Sequence, residues 1–295
     1  MQLKSILCPI DFSDFSAAAY QYALSLAEHY KAKVVALHVV ELWKYPFADY
    51  AAYEADYAKF SGALNEGGEV KLRQFVEKHS PGGIRPQLVV HQGSPSDWIL
   101  SFAQTENIEL IVMGTHGRRG FDRLVLGSTT DRVMRRAACP VLVISKASHS
   151  SIAAGPEGRH GHRLSRILYC TDFSKNSERA LSYAISATAE YDAELTLLHV
   201  VEHVPHSLKK DELVVSCAGE LDKLVAADMR KNCKIKMAVR VGKPYEQIVR
   251  HVVEEQIDMV AMAARGAEAL DRAVFGSTTY RVIQLGPCPV LAVHT

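Results

Sequence analysis

The residues LKSILCPIDFSDFS from Leu3 return as LSRILYCTDFSKNS from Leu164, 161 positions later. In that register Asp11, Phe12, Ser13, Ser16, Ala19, Tyr22 and Ala23 meet Asp172, Phe173, Ser174, Ser177, Ala180, Tyr183 and Ala184. LHVVE at Leu37 recurs at Leu198. Toward the ends the register becomes 149: GSTTDRV from Gly127 returns from Gly276 as GSTTYRV, and CPVLVI from Cys139 returns from Cys288 as CPVLAV. The second copy is therefore 12 residues shorter in its middle (161 − 149). A repeat this long confines the chain to two similar folding units. Between the copies, KASHSSIAAGPEGRHGHR is rich in Ser, Gly and small residues and reads as a linker. The sequence thus predicts domains at 1–146 and 163–295, joined by 147–162.

Within each copy, β-branched apolar runs alternate with amphipathic stretches. In the first copy SILC, KVVALHVV, PQLVVHQ, IELIVMG and PVLVIS read as strands. Helices are predicted from Ser13 to Tyr30, from Ser94 onward and over 128–137. Ser94 stands as N-cap, Pro95 at the first helical position and Asp97 as the capping-box acid. The region 42–80 predicts two helical pieces, Tyr50 to Leu64 and Val70 to His79, interrupted around Gly67 and Gly68. Strands alternating with helices imply an α/β fold: two tandem Rossmann-like or flavodoxin-like domains, each a five-stranded parallel sheet with helices on both faces. The fifth strands are short and apolar, and pairing them with each other would protect an edge prone to aggregation.

The segment GTHGRRGFDRLVLGSTT, Gly114 to Thr130, ends one strand and opens the last helix of the first copy. A helix N-terminus presents unpaired N–H groups and partial positive charge, which suit an anion. Glycine permits close backbone approach and positive φ. Ser128 and Thr129 add hydroxyls, and Arg118, Arg119 and Arg123 add charge. The pattern is that of a phosphate site. It is neither GxxxxGK[ST] nor GxGxxG but G-x2-G-x9-G-S, at Gly114, Gly117, Gly127 and Ser128.

This pattern, with PIDFS on the first strand and LHVV on the second, resembles the universal stress protein family, and the whole chain resembles its tandem members. The resemblance implies ATP as ligand, with Mg or Mn on the phosphates. It also implies that Pro9, Ile10 and Asp11 lie at the nucleoside and that Val39 contacts adenine through its backbone. Met113, Gly114, Thr115, His116 and Gly117 would approach ribose and phosphates, and Gly127, Ser128 and Thr129 would hold the phosphates. Read from the residues alone, Asp11 either accepts from ribose hydroxyls or caps the following helix in competition with Ser13. His116 either donates to a phosphate or faces water. The second copy keeps Asp172, Val200, Gly266, Gly276 and Ser277 but carries Ala263 in place of Gly114 and Cys170 in place of Pro9. Its loop holds Glu268 and Asp271 with Arg265 and Arg272. A weaker second site is expected, the more so if position 263 needs positive φ.

Other function classes find little support. A net charge of +1 over 295 residues leaves no electrostatic footprint for nucleic acid. No apolar run approaches the ~20 residues that span a bilayer, and Pro9 and Asp11 interrupt the N-terminus before a signal peptide could form. The six cysteines form no CxxC pair and read as reduced thiols of a cytoplasmic protein, with Cys139 and Cys288 as buried packing residues. His38 and His199 occupy matching strand positions as hydrogen-bonded core residues, and His160 and His162 belong to a solvated linker rather than a metal site. No catalytic residue is identified, because no nucleophile–base set or paired carboxylate is anchored by a motif. The reading is a cytoplasmic, ATP-binding, nucleotide-responsive stress regulator or adaptor, with an unknown protein partner and dimerisation of whole tandem chains as a further expectation. The alternative is a slow ATPase or nucleotidyl-transfer enzyme of the same architecture.

Overall fold

The computed structural model describes residues 3–41, 54–80 (54–60 by backbone alone), 84–115, 126–145, 164–205, 209–226, 230, 233–265 and 276–294. The chain divides into two compact units, Gln2–Cys139 and, apart from Met1, Pro140–Thr295.

The first unit runs β1 (Ser5–Pro9), α1 (Asp14–Tyr30), β2 (Lys33–Val40), α2 (Glu54–His79), β3 (Gln87–Gln92), α3 (Pro95–Thr105), β4 (Leu110–Gly114) and α4 (Ser128–Arg136). The β-branched runs identified from sequence form these strands. All pairs are parallel: Ser5 lies opposite Lys33, Val35 opposite Gln87 and Ile6 opposite Leu110. The strand order is therefore β3-β2-β1-β4. Ile6, Leu7 and Cys8 are fully buried between helical layers, each aliphatic side chain contributing about 1.5–3 kcal/mol. The order reverses between β1 and β4, so the carboxyl ends of those strands frame the crevice where doubly wound sheets bind ligands.

The second unit contains β5 (Val141–Ile144), β6 (Arg166–Thr171), α5 (Lys175–Tyr191), β7 (Glu194–Val201), α6 (Lys210–Lys223), β8 (Lys234–Val241), α7 (Pro244–Glu254), β9 (Met259–Ala263), α8 (Ser277–Leu285) and β10 (Val290–Val293). Strands β8-β7-β6-β9-β10 are parallel, reversing between β6 and β9. β5 pairs antiparallel with β10, with Leu142 opposite Leu291. The two fifth strands therefore pair, and β5 belongs to the second compact unit.

Two local expectations are corrected. α2 is one continuous helix through Gly67 and Gly68. Each glycine costs a helix about 1 kcal/mol, but at Gly68 a Cβ would stand 3.1 Å from both Val40 and Val90. The missing side chain lets α2 close on the sheet, and that packing overrides propensity. At α3, Ser94 is the N-cap and Pro95 follows, yet Ser94 makes no side-chain cap. Its Oγ pairs with Ser96 at 3.3 Å, while the Asp97 carboxylate accepts from Arg136 Nη1 at 3.2 Å, so the capping box does not form.

Candidate functional site

At the end of β1 the chain turns sharply into α1. Ser13 is the N-cap, its Oγ accepting from Ser16 N–H at 3.2 Å. Asp11 Oδ1 accepts from both the N–H (3.0 Å) and the Oγ (2.6 Å) of Ser13. Ser13 therefore caps the helix and Asp11 braces the cap, placing the carboxylate at the mouth of the crevice. Phe12 between them has φ 66, a left-handed conformation that costs an L-residue about 1–2 kcal/mol. Its ring packs on His38 (centroids 4.4 Å) and Phe75 (5.8 Å). His38 Nδ1 donates to the Ile10 carbonyl at 2.8 Å; a carbonyl only accepts, so the proton sits on Nδ1. The expected hydrogen-bonded role of His38 is met, and Val39 follows it, buried, on β2.

The same device recurs in the second unit. Asp172 Oδ1 accepts from Ser174 N–H at 3.0 Å and from its Oγ at 2.6 Å. Phe173 has φ 60 and lies 4.3 Å from the ring of His199. His199 Nδ1 contacts the Thr171 carbonyl at 2.9 Å. Here Thr171 and Tyr169 replace Ile10 and Cys8. Thr171 Oγ1 accepts from Phe173 N–H (2.9 Å) and bonds Ser177 Oγ (2.9 Å), and Tyr169 OH donates to the Ser177 carbonyl (2.9 Å). The second turn thus gains hydroxyl contacts at two positions where the first repeat carries Ile10 and Cys8.

Across the crevice, Met113 and Thr115 are buried and Gly114 is half-buried. Gly114 does not adopt positive φ; among the described glycines only Gly93 (φ 130) and Gly242 (φ 135) do. A Cβ on Gly114 would instead stand 2.8 Å from Phe15 Cβ and 2.9 Å from its backbone C and O. The left-handed rationale is corrected to a packing one: glycine lets β4 and α1 meet beside the crevice. Thr115 and Gly127 are joined by Gly127 N–H donating to the Thr115 carbonyl at 2.8 Å, and Thr130 Oγ1 donates to the Gly114 carbonyl at 2.8 Å. These clasps fix the start of α4 against the end of β4. The second unit repeats both, Gly276 N–H to the Ala264 carbonyl (3.0 Å) and Thr279 Oγ1 to the Ala263 carbonyl (2.9 Å). Thr130 and Thr279 were missed from sequence, although the repeated GSTT was the available signal.

Gly127 is the N-cap of α4, with φ −58 and ψ 141. It has no side chain to engage the first N–H groups, unlike Ser13 and Ser174, whose hydroxyls cap α1 and α5. Ser128 is exposed and Thr129 half-buried. Asp131 in the first turn is held by Arg135 through two contacts, 2.9 and 3.0 Å, which offsets its charge near the helix start. The structure thus brings Pro9, Ile10, Asp11, Val39, Met113, Gly114, Thr115, Gly127, Ser128 and Thr129 to the carboxyl edge at the switch point. His116, Gly117, Arg118, Arg119 and Arg123 lie outside the described residues, as do Gly266, Glu268, Asp271 and Arg272, and His160 and His162 of the linker. In the second unit Asp172, Val200, Gly276 and Ser277 occupy matching places.

Cys139 and Cys288 precede the fifth strands, away from this edge. Burial pushes Cys288 up to about 12 and Cys139 to about 11. Cys288 is buried as expected, whereas Cys139 is only half-buried. Among the described residues no cluster of His, Cys, Asp and Glu is placed to hold a metal, and no described helix is long and apolar enough to cross a membrane.

A doubly wound parallel sheet with a side-chain-free helix start clasped to the switch-point strand defines the class: an α/β domain of the flavodoxin-like kind. The chain matches the universal stress protein family over residues 2–145 and again over 164–294, and it belongs to that family. It is 36% identical to universal stress protein MJ0531 of Methanocaldococcus jannaschii over 143 residues, covering 48% of this chain and 82% of that protein. Universal stress protein Slr1230 of Synechocystis is 22% identical over 312 residues, 98% of this chain and 99% of its own. The crystal structure of a universal stress protein from Archaeoglobus fulgidus shares the fold, with a TM-score of 0.74 at 23% identity, covering 100% of this chain and 99% of that one.

Proposed function

We propose that the first repeat binds ATP at the β1–β4 crevice and that the protein acts as a nucleotide-responsive regulator or adaptor. The observation that carries this reading is Gly127: an N-cap without a side chain, clasped to Thr115, at the switch point of the sheet. The first N–H groups of α4 are left for an external acceptor, which suits a phosphate. Asp11 and the backbone at Val39 would meet the nucleoside, Gly127, Ser128 and Thr129 the phosphates, and a divalent cation would travel with the triphosphate. The second repeat is read as the weaker site. Because Gly114 is not in the left-handed region, Ala263 alone is no barrier to phosphate. The asymmetry rests instead on Ala267 and Glu268, which stand where the first loop has Arg118 and Arg119, since lost positive charge and a carboxylate near phosphate both oppose binding. Incubating the protein with labelled ATP, and following retained nucleotide and product separately, tests the reading. Retention without product supports a binding regulator, turnover favours the slow enzyme, and the absence of both retention and product refutes both readings.

A further inference from the structure

His251 on α7 is 5% exposed, and its Nε2 has no hydrogen-bond partner among the described residues. Its Nδ1 accepts from Arg240 Nε of β8 at 3.1 Å, and Arg240 Nη2 donates to Glu254 Oε2 at 2.5 Å. A ring nitrogen that accepts from a guanidinium carries no proton, because Arg has none to surrender and offers no acceptor. The imidazole is thus locked neutral, with its remaining N–H buried unpaired. A proton can add only at Nδ1, and only when the Arg240 contact breaks. The first repeat has no equivalent, for Phe102 stands at that place and His91 at the place of Arg240.

We propose that the Arg240–His251 contact is an acid-released latch that holds α7 on β8 at neutral pH and lets it open in mild acid. The charged groups that bear on the ring are Arg240 from β8 and Glu255 and Glu254 from α7 itself. Burial and then Arg240 hold the imidazole below its ordinary value, and the two glutamates oppose them only in part. Glu254 stays ionised in mild acid, because its hydrogen bond from Arg240 holds it below the usual carboxylate range. His251 is therefore the member that titrates. The sign follows from the lowered folded value: closed α7 binds no proton, while opened α7 binds one near the ordinary value of about 6.5. Opening is then pH-independent well above 7 and increases as pH falls. By that relation the opening constant at pH 5.0 rises to at most about thirty times its value at pH 7.5. Opening would uncover Ile248 and Val252 beside Val253, which is already exposed.

Hydrogen exchange on the full chain, corrected for intrinsic rates, tests the latch by comparing α7 amides with those of α3. The expected result is a rise in α7 opening between pH 7.5 and 5.0, to at most about thirty-fold, with α3 unchanged. His251→Gln keeps an acceptor for Arg240 but cannot titrate, and His251→Phe copies the first repeat; both should abolish the rise. A flat wild-type α7, or an acid response that survives in either folded variant, overturns the proposal. The wild-type comparison of α7 with α3 stands even if neither variant folds.

Discussion

Replacing Gly127 with aspartate should separate stability from ligand binding, because both depend on the same N–H groups. The backbone at Gly127, φ −58 and ψ 141, is open to any L-residue. Aspartate at an N-cap exceeds glycine by a few tenths of a kcal/mol, and its charge at the helix start adds about 0.3–1 kcal/mol. The variant should therefore be slightly more stable than the wild type. Against a phosphate the same carboxylate acts twice, occupying the N–H donors and repelling the anion. At about 4 Å the repulsion alone is about 1 kcal/mol at the dielectric of water and about 4 kcal/mol at an effective value of 20. Affinity for ATP should fall by a factor between about 5 and several hundred, while Gly127→Ser, which caps without charge, should lose less. Calorimetric titration with ATP and Mg, alongside thermal unfolding of the same samples, measures both quantities. Unchanged affinity in a stably folded Gly127→Asp protein would refute the phosphate assignment. A loss of stability would refute the capping argument.

The matching variant Gly276→Asp should remove only the weaker binding step, so a larger loss there than from Gly127→Asp would reverse the proposed asymmetry. Gly114→Ala should destabilise by about 1–3 kcal/mol through overpacking against Phe15, read as a lower urea midpoint; a midpoint equal to wild type would show that β4 and α1 yield easily. Thr130→Val, which leaves the Gly114 carbonyl without its hydroxyl donor, should cost about 1–3 kcal/mol. Thr279→Val should cost about as much in the second unit, and neutrality of both would deny the clasps any role in stability.

Much of this architecture is legible in the sequence because it follows from local chemistry said twice. Repetition of ILCPIDFS and GSTT locates both units, and the β-branched runs give the strands with little ambiguity. The start of α1 is readable, but the sequence leaves its cap open between Asp11 and Ser13, and the fold settles it on Ser13. What escapes is set by tertiary proximity. The continuity of α2 depends on Val40 and Val90, distant in sequence from Gly68. Ser94 and Asp97 satisfy a capping-box pattern, yet Asp97 finds Arg136, 39 residues on. Gly114 stands in a loop motif that suggests backbone freedom, whereas its need is to leave room for Phe15. The Arg240–His251 contact joins a strand and a helix whose periodicities say nothing of each other.

The antiparallel pairing of β5 with β10 bears on where this protein can be cut. β5 is encoded at the end of the first repeat, yet it pairs with the last strand of the second and belongs to the second compact unit. A fragment begun at Leu164, where the repeat restarts, would leave Val290–Val293 as a bare apolar border without lysine, proline or a bulge to discourage further strands. Such a fragment should aggregate or take up a strand from another molecule. One begun at Pro140 keeps Val141–Ile144 paired with Val290–Val293 and should aggregate less than one begun at Leu164. For expression, display or circular permutation, a fragment of the second repeat should therefore retain Val141–Ile144.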